Sequence, residues 1–304
     1  MSEKIELYTI DEHSDKLIDD IGRHIKYYSS PLLLRTKGSN GEENIRLIGS
    51  GTFVSILDTF GILTAAHVVK MLIKERDLGR PYSLGLIIKD YMHNYAIPSN
   101  YLEPINIAKG QIDSDGPDLG FIVLPNSELG TIKATKNFHN LDRNRERILA
   151  TPPKFNAGSW AICGVPDEKT VDELFEEKST LHKRFFMFCG VGGIRNTYTI
   201  DEYDYYDIAV KRDCSPMIPD SFGGVSGGGL WQILLAKSRE GEIEPKEYIL
   251  SGVVFYETGW EGLYQSVRCH GRNSIYDMVY SFITENRKQK TENHVLDLRH
   301  HRSA

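Results

Sequence analysis

Apolar positions along the chain recur at two spacings, and the change from one to the other divides it. From Asp11 to Ile25, Leu17, Ile18, Ile21 and Ile25 fall at helical spacing among polar neighbours, which predicts one amphipathic helix on the outside of a core. After it, Leu32 to Arg35, Ile45 to Ile48, Thr52 to Leu57 and Gly61 to Thr64 are short runs bounded by Ser, Gly, Asn and Asp. That is the pattern of consecutive strands and turns. A short helix is expected at Ala66 to Lys74, followed by strand-like runs at Ser83 to Lys89, Tyr101 to Ile107 and Leu119 to Leu124.

The stretch from Asn126 to Asn156 is rich in Asn, Lys, Arg and Thr, with Pro152-Pro153 near its end, and it reads as a connector. Strand-like runs resume at Ser159 to Cys163, Phe185 to Gly190, Tyr206 to Lys211, Gly229 to Leu235 and Tyr248 to Phe255. Ile275, Met278, Val279 and Phe282 then share one face of a helix from about Asn273 to Asn286, capped by Asn273 or Ser274, and the rest of the chain is polar. The expected plan is a helical extension over 1–30, a first β unit over 31–125, a connector over 126–157, a second β unit over 158–272, and a helix and tail over 273–304.

Composition narrows the partners. The chain of 304 residues carries 36 basic and 42 acidic side chains, a net charge of −6, which argues against nucleic acid because phosphate binding needs clustered Lys and Arg. With 40% hydrophobic and 26% charged residues it lies in the globular range. Apolar runs such as Phe121 to Leu124 are far too short to cross a bilayer, and the Met1-Ser2-Glu3-Lys4 start lacks the apolar block of a secretory signal, so no membrane association is expected. Cys163, Cys189, Cys214 and Cys269 show no metal-type spacing; reduced thiols in a cytoplasmic protein are expected.

Three segments carry candidate chemistry. Gly49-Ser50-Gly51-Thr52-Phe53-Val54, then Ile62-Leu63-Thr64-Ala65-Ala66-His67-Val68-Val69, deliver a histidine from two strands to the start of a helix. Gly116-Pro117-Asp118 sets an aspartate directly before the apolar run Leu119 to Leu124. In Phe222-Gly223-Gly224-Val225-Ser226-Gly227-Gly228-Gly229-Leu230, glycines surround one serine. Taken singly these read as a structural histidine, a turn aspartate and a tight glycine turn. Together they are what a nucleophilic serine needs: a base, a carboxylate to orient it, and backbone N–H groups for an oxyanion.

With these motifs in this order, the sequence resembles the trypsin-like, chymotrypsin-fold serine proteases over roughly Arg46 to Phe255, and bacterial stand-alone members in particular. The resemblance implies an all-β fold of two six-stranded antiparallel β-barrels, here with N-terminal and C-terminal helices. It implies His67 as general base, Asp118 orienting it, Ser226 as nucleophile, and the amides of Gly224 and Ser226 as the oxyanion hole. No metal or organic cofactor enters such chemistry. Val68 and Phe222 stand where secreted members have cysteines, and Val225 stands where zymogen-type members have the activation aspartate.

Asp220, six residues before Ser226, occupies the position that gives trypsin its preference for Arg or Lys; an aspartate in a turn is the plainer reading. Gly252 to Tyr256, with Phe255 and Tyr256, resembles the strand that pairs with substrate backbone. The expected function is a serine endopeptidase acting on a protein or peptide substrate, with the flanking helices as candidate docking points for a regulatory protein partner. The alternative is a silent or latent protease fold kept for binding. Tyr203 to Asp207 reads as a solvated hairpin, His300-His301 lacks further metal ligands, and Gly190 to Gly193 reads as a turn.

Overall fold

The computed structural model describes residues 15–38, 41–89, 93–175, 180–185, 187–211, 218–238 and 241–302. The first helix, α1 (Asp15–Lys26), buries Leu17, Ile21 and Ile25, the stripe its spacing predicts; residues 11–14 of the expected helix lie outside the described residues. Its last carbonyl is capped by Lys136, whose Nζ donates to Lys26 O at 3.3 Å and Ser29 O at 2.7 Å. Burial in that position pulls the Lys136 ammonium down to about 8.

Eight strands and one helix follow: β1 (Ser29–Lys37), β2 (Glu43–Ile56), β3 (Thr59–Thr64), α2 (Ala66–Asp77), β4 (Tyr82–Lys89), β5 (His93–Pro98), β6 (Glu103–Lys109), β7 (Asp118–Val123) and the short β8 (His139–Asn140). The hydrogen-bonded order is β5-β4-β1-β2-β3-β7-β6, with β8 pairing β2 off the path. The path does not close by hydrogen bonds, unlike the six-stranded barrel expected. Its two end strands are consecutive in the chain, however, joined by a 3-10 turn at Ser99–Tyr101. Pro98 has no N–H to continue the ladder, so a single strand breaks there, one half pairing β4 and the other β7. The two runs expected at Ile45 to Ile48 and Thr52 to Leu57 are one strand, β2, with a bulge opposite Leu32 and Leu33.

The connector is less bare than its composition suggests. It holds α3 (Asn126–Lys133) and α4 (Arg145–Ala150), both too short to show helical periodicity. Beyond it lie β9 (Ser159–Gly164), a separate hairpin of β10 (Thr170–Phe175) and β11 (Thr180–Phe185), β12 (Phe188–Ile200), β13 (Tyr203–Lys211), β14 (Gly229–Lys237), β15 (Ile243–Glu257) and β16 (Tyr264–His270). Six of these strands form a closed barrel in the order β12-β13-β16-β15-β14-β9. All pairs in both sheets are antiparallel except β2 with β8. The molecule is thus all-β, two antiparallel units with helices at both ends.

One core fills each unit and a third lies between them. Leu32, Phe53, Ile62, Val68, Leu84 and Ile122 pack the first; Ile162, Leu230, Val254, Val267 and Cys269 pack the second. Ile21 and Ile25 of α1, Leu63 and Phe121 of the first sheet, Trp231 and Leu250 of the barrel, and Ile275 and Val279 share the third. The chain after the barrel begins with a π-turn at Ser274–Val279 and continues as α5 (Tyr280–Arg302), past the expected end near Asn286. Polarity ends its burial without ending its hydrogen-bonded backbone. Its start is capped by Asp204, which accepts from the amides of Asn273 at 3.1 Å and Ser274 at 2.8 Å. The run Tyr203 to Asp207 is therefore a barrel strand with Tyr205 and Tyr206 buried, not a solvated hairpin.

Because α1 contributes to the core shared by both units, Ile21→Ala should cost about 2–5 kcal/mol in a single cooperative unfolding transition. Denaturant titration followed by both fluorescence and circular dichroism tests this; α1 melting in a separate earlier step would contradict it.

Candidate active site

Asp118 opens β7 and is 1% exposed. Its carboxylate takes hold of His67 twice: the backbone N–H of His67 donates to Oδ1 at 2.9 Å, and His67 Nδ1 lies 2.6 Å from Oδ2. The first bond has a helical cause. His67 is in the first turn of α2, where amides have no partner within the helix, and Ala65 supplies no side-chain cap. One carboxylate therefore completes the helix end and orients the ring. With Nδ1–H directed at Asp118, Nε2 is the free basic atom of His67, whose side chain is 33% exposed.

Two further residues surround the aspartate, and neither is visible in the sequence motifs. Lys109, opposite Asp118 in the β6–β7 register, places Nζ 3.3 Å from Oδ2 and 2.6 Å from Asp113 Oδ1. Burial alone would push the Lys109 ammonium down, but the hydrogen bond and charge of Asp113 and the charge of Asp118 outweigh it and hold it above the ordinary lysine value. Behind Asp118, its own N–H donates to Nε2 of His270 at 2.9 Å. The His270 ring is fully buried against Phe255 and Tyr205, and burial drives it down to about 3, so it is a neutral acceptor. Its Nδ1 has no partner among the described residues.

Ser226 stands in the turn between Phe222 and the start of β14. Its carbonyl accepts from Ser50 N at 2.8 Å, and the Ser50 hydroxyl donates to Gly224 O at 2.8 Å while accepting from Val165 N at 2.8 Å. Ser50 is itself held by Thr64, whose hydroxyl donates to Ser50 O at 2.7 Å. A Cβ built on Gly49 would lie 2.5 Å from Val68 Cγ2 and 2.9 Å from Ser226 O, so the serine backbone and the residue after His67 approach the same point. Among the described residues His67 is bonded to Asp118, whereas no hydrogen bond joins Ser226 to His67.

The amides of Gly224 and Ser226 make no hydrogen bond among the described residues. For Gly224 the orientation has a local cause: Gly223 O accepts from Asp167 N at 2.7 Å, and in a planar trans peptide the N–H of Gly224 then points the opposite way. Gly224 has φ 87° and Gly227 φ 91°, conformations that a side chain would strain. A Cβ at Gly224 would also meet Val165 O at 2.7 Å, and one at Gly227 would meet Ser50 O at 2.0 Å. Val225 is fully buried with Phe222 and Leu230, in an apolar pocket.

The candidate substrate-binding residues are differently placed. Asp220 is exposed; its N–H donates to Glu168 Oε1 at 2.9 Å and its carbonyl accepts from Trp260 Nε1 at 2.8 Å. Phe255 is buried against His270 and Tyr205. Tyr256 is half-buried beside Arg268. On the side of β15 away from β16, pairing with β14 ends at Val253, leaving Phe255 to Glu257 as an open edge among the described residues. Cys163, Cys189 and Cys269 are unpaired thiols, and Cys214 lies outside the described residues.

No protein-family model matches this chain, and no curated protein matches it in sequence. Among solved structures it is similar to the crystal structure of the Drosophila Grass clip serine protease of the Toll pathway. The identity is 15% and the TM-score 0.48, over 94% of this chain and 76% of that one.

Burial would raise the Asp118 carboxyl, but the hydrogen bonds and charge of His67 and the charge of Lys109 overcome it and hold it below its ordinary 3.8. The stability this provides is present above about pH 3.8 and is lost as the pH falls through the lower folded value. Lys109→Met removes one of the groups holding the carboxyl down, so acid destabilisation should begin at higher pH in the variant. Thermal melts between pH 2 and 6 test this; superimposable pH profiles would contradict it.

Proposed function

We propose that this protein is a serine endopeptidase that hydrolyses peptide bonds of a protein or peptide substrate through an acyl-enzyme intermediate. The observation that carries the reading is the double grip of Asp118 on His67, opposite a turn whose Gly224 and Ser226 amides have no internal acceptor. In the reaction, His67 Nε2 takes the proton of Ser226 Oγ as the oxygen attacks the scissile carbonyl. The resulting oxyanion is met by the Gly224 and Ser226 amides. Asp118 stabilises the imidazolium, which then protonates the leaving amine; water repeats the sequence on the acyl-enzyme and frees Ser226.

Every group needed belongs to the chain, so the step calls for no metal or organic cofactor. Unpaired thiols at Cys163, Cys189 and Cys269 suit a reducing, cytoplasmic setting. None of the described helices is long and apolar enough to cross a membrane. A regulatory protein partner docking on the flanking helices would use their polar outer faces, since Leu17, Ile21, Ile25, Ile275 and Val279 are spent on the core. A preference for Arg or Lys set by Asp220 would need that carboxylate at the floor of the side-chain slot; Asp220 is exposed.

The second reading, a latent or silent protease fold kept for binding, is favoured by one observation: no hydrogen bond joins Ser226 to His67 among the described residues. Labelling with a small fluorophosphonate separates the two. Wild type should label, Ser226→Ala should not, and His67→Ala should lower the rate by about three or more powers of ten. A folded wild type that never labels would support the binding module and overturn the enzyme reading.

A further inference from the structure

A peptide held for attack by Ser226, with its carbonyl oxygen at the Gly224 and Ser226 amides, would have the open edge of β15 as its backbone partner. The side chain of its acyl residue would then enter the space between that edge, Phe255 to Glu257, and the segment 220–223 that leads into the amides. This follows from the reading proposed above and rests on it. In this chain the space is crossed by a side chain. The Glu257 carboxylate accepts from the Ser221 hydroxyl at 2.7 Å and from the backbone N–H of Phe222 at 2.6 Å. A third donor, Gln265 Nε2 of β16, reaches Oε2 at 2.9 Å.

Two consequences follow. The first is steric: a side chain that spans from β15 to residues 221 and 222 leaves no slot for a long or aromatic group. The second is electrostatic: with three donors, one of them a backbone amide, this carboxylate is already compensated and does not need a cation from the substrate. Of the other carboxylates nearby, Asp220 is exposed, and that of Glu168 accepts from the backbone N–H groups of Asp220 at 2.9 Å and Ser221 at 3.1 Å.

We propose that Glu257 is the specificity-determining residue of the site, a bar across the side-chain slot that limits cleavage to positions after small residues such as Gly, Ala or Ser. Glu257 touches the substrate side chain without taking part in proton or acyl transfer. Shortening it should open the slot while leaving Ser226 reactive.

The test compares wild type with Glu257→Ala, Glu257→Ser and Glu257→Gln, using peptidyl esters that differ only in an acyl residue of Ala, Phe or Lys. Fluorophosphonate labelling of the same preparations serves as a separate readout, because the small probe does not need the slot. Wild type should prefer Ala, and the two shortened variants should raise turnover of Phe relative to Ala by about tenfold or more, while Glu257→Gln, which keeps the length, stays near wild type. A wild type that prefers Lys, or Phe-to-Ala ratios unchanged by shortening, would overturn the inference while labelling left the hydrolase reading intact. Absence of Ser226-dependent labelling in wild type would remove both.

Discussion

The arrangement depends on Ser50. Its hydroxyl is donor to Gly224 O and acceptor from Val165 N, and its amide donates to Ser226 O, so two bonds from one residue of the first sheet hold the turn that carries Ser226 and a third holds Val165 at the end of β9. Without that tie the two units would still be packed by apolar contact, which is not directional. Hydrogen bonds supply the direction. Because both lone functions of the Ser50 hydroxyl are used inside the protein, replacing it would leave a buried carbonyl and a buried amide unsatisfied, each costing about 1–3 kcal/mol. These bonds hold the carbonyls of Gly224 and Ser226, while the Gly224 N–H is set separately by the bond from Asp167 N to Gly223 O.

Asp118 shows how competing terms are settled by count. Burial raises the carboxyl, and a solitary buried aspartate would take up a proton. Three groups prevent it: the amide and ring of His67 and the ammonium of Lys109. Lys109 brings a consequence for chemistry. Its ammonium shares Asp118 Oδ2 with the His67 ring, so a positive charge forming on His67 would meet a carboxylate already partly neutralised. Asp113, bonded to the same ammonium at 2.6 Å, offsets part of this.

His67, Asp118 and Ser226 stand out as candidates in the sequence because each sits in a local signature, a strand running into a helix, a turn before an apolar strand and a glycine-flanked serine, and the structure joins the first two directly. Ser50, Lys109, His270 and Glu257 carry no such signature, since their roles depend on register and on contacts between distant segments. Lys109 matters only because it falls opposite Asp118. The strand that ends in His270 was missed altogether: its inward positions are Gln265, Val267 and Cys269, so a polar residue breaks the alternation that would reveal it. Two antiparallel units were readable from run lengths and turn residues, whereas the split of one strand at Pro98 and the helices α3 and α4 were below the length at which periodicity shows.

Val225, at the position where the proteases of zymogen type that the sequence resembles hold an aspartate, offers no buried ion pair to set the proposed oxyanion turn. The structure replaces it with apolar burial of Val225 and with a chain of neutral and charge-assisted bonds. Asp167 N fixes Gly223 O from one side, and Ser221 Oγ accepts from Gly223 N at 3.0 Å from the other. That same Ser221 hydroxyl donates to Glu257. The proposed bar across the side-chain slot is therefore linked by one hydrogen-bonded chain to the backbone before the turn, while Gly223 O keeps its separate bond from Asp167 N. A substrate side chain that pushed Glu257 aside would break its bonds to Ser221, Phe222 and Gln265 but not the bond that orients the Gly224 amide, so a residue too large for the slot would be penalised in binding rather than in the alignment of that amide.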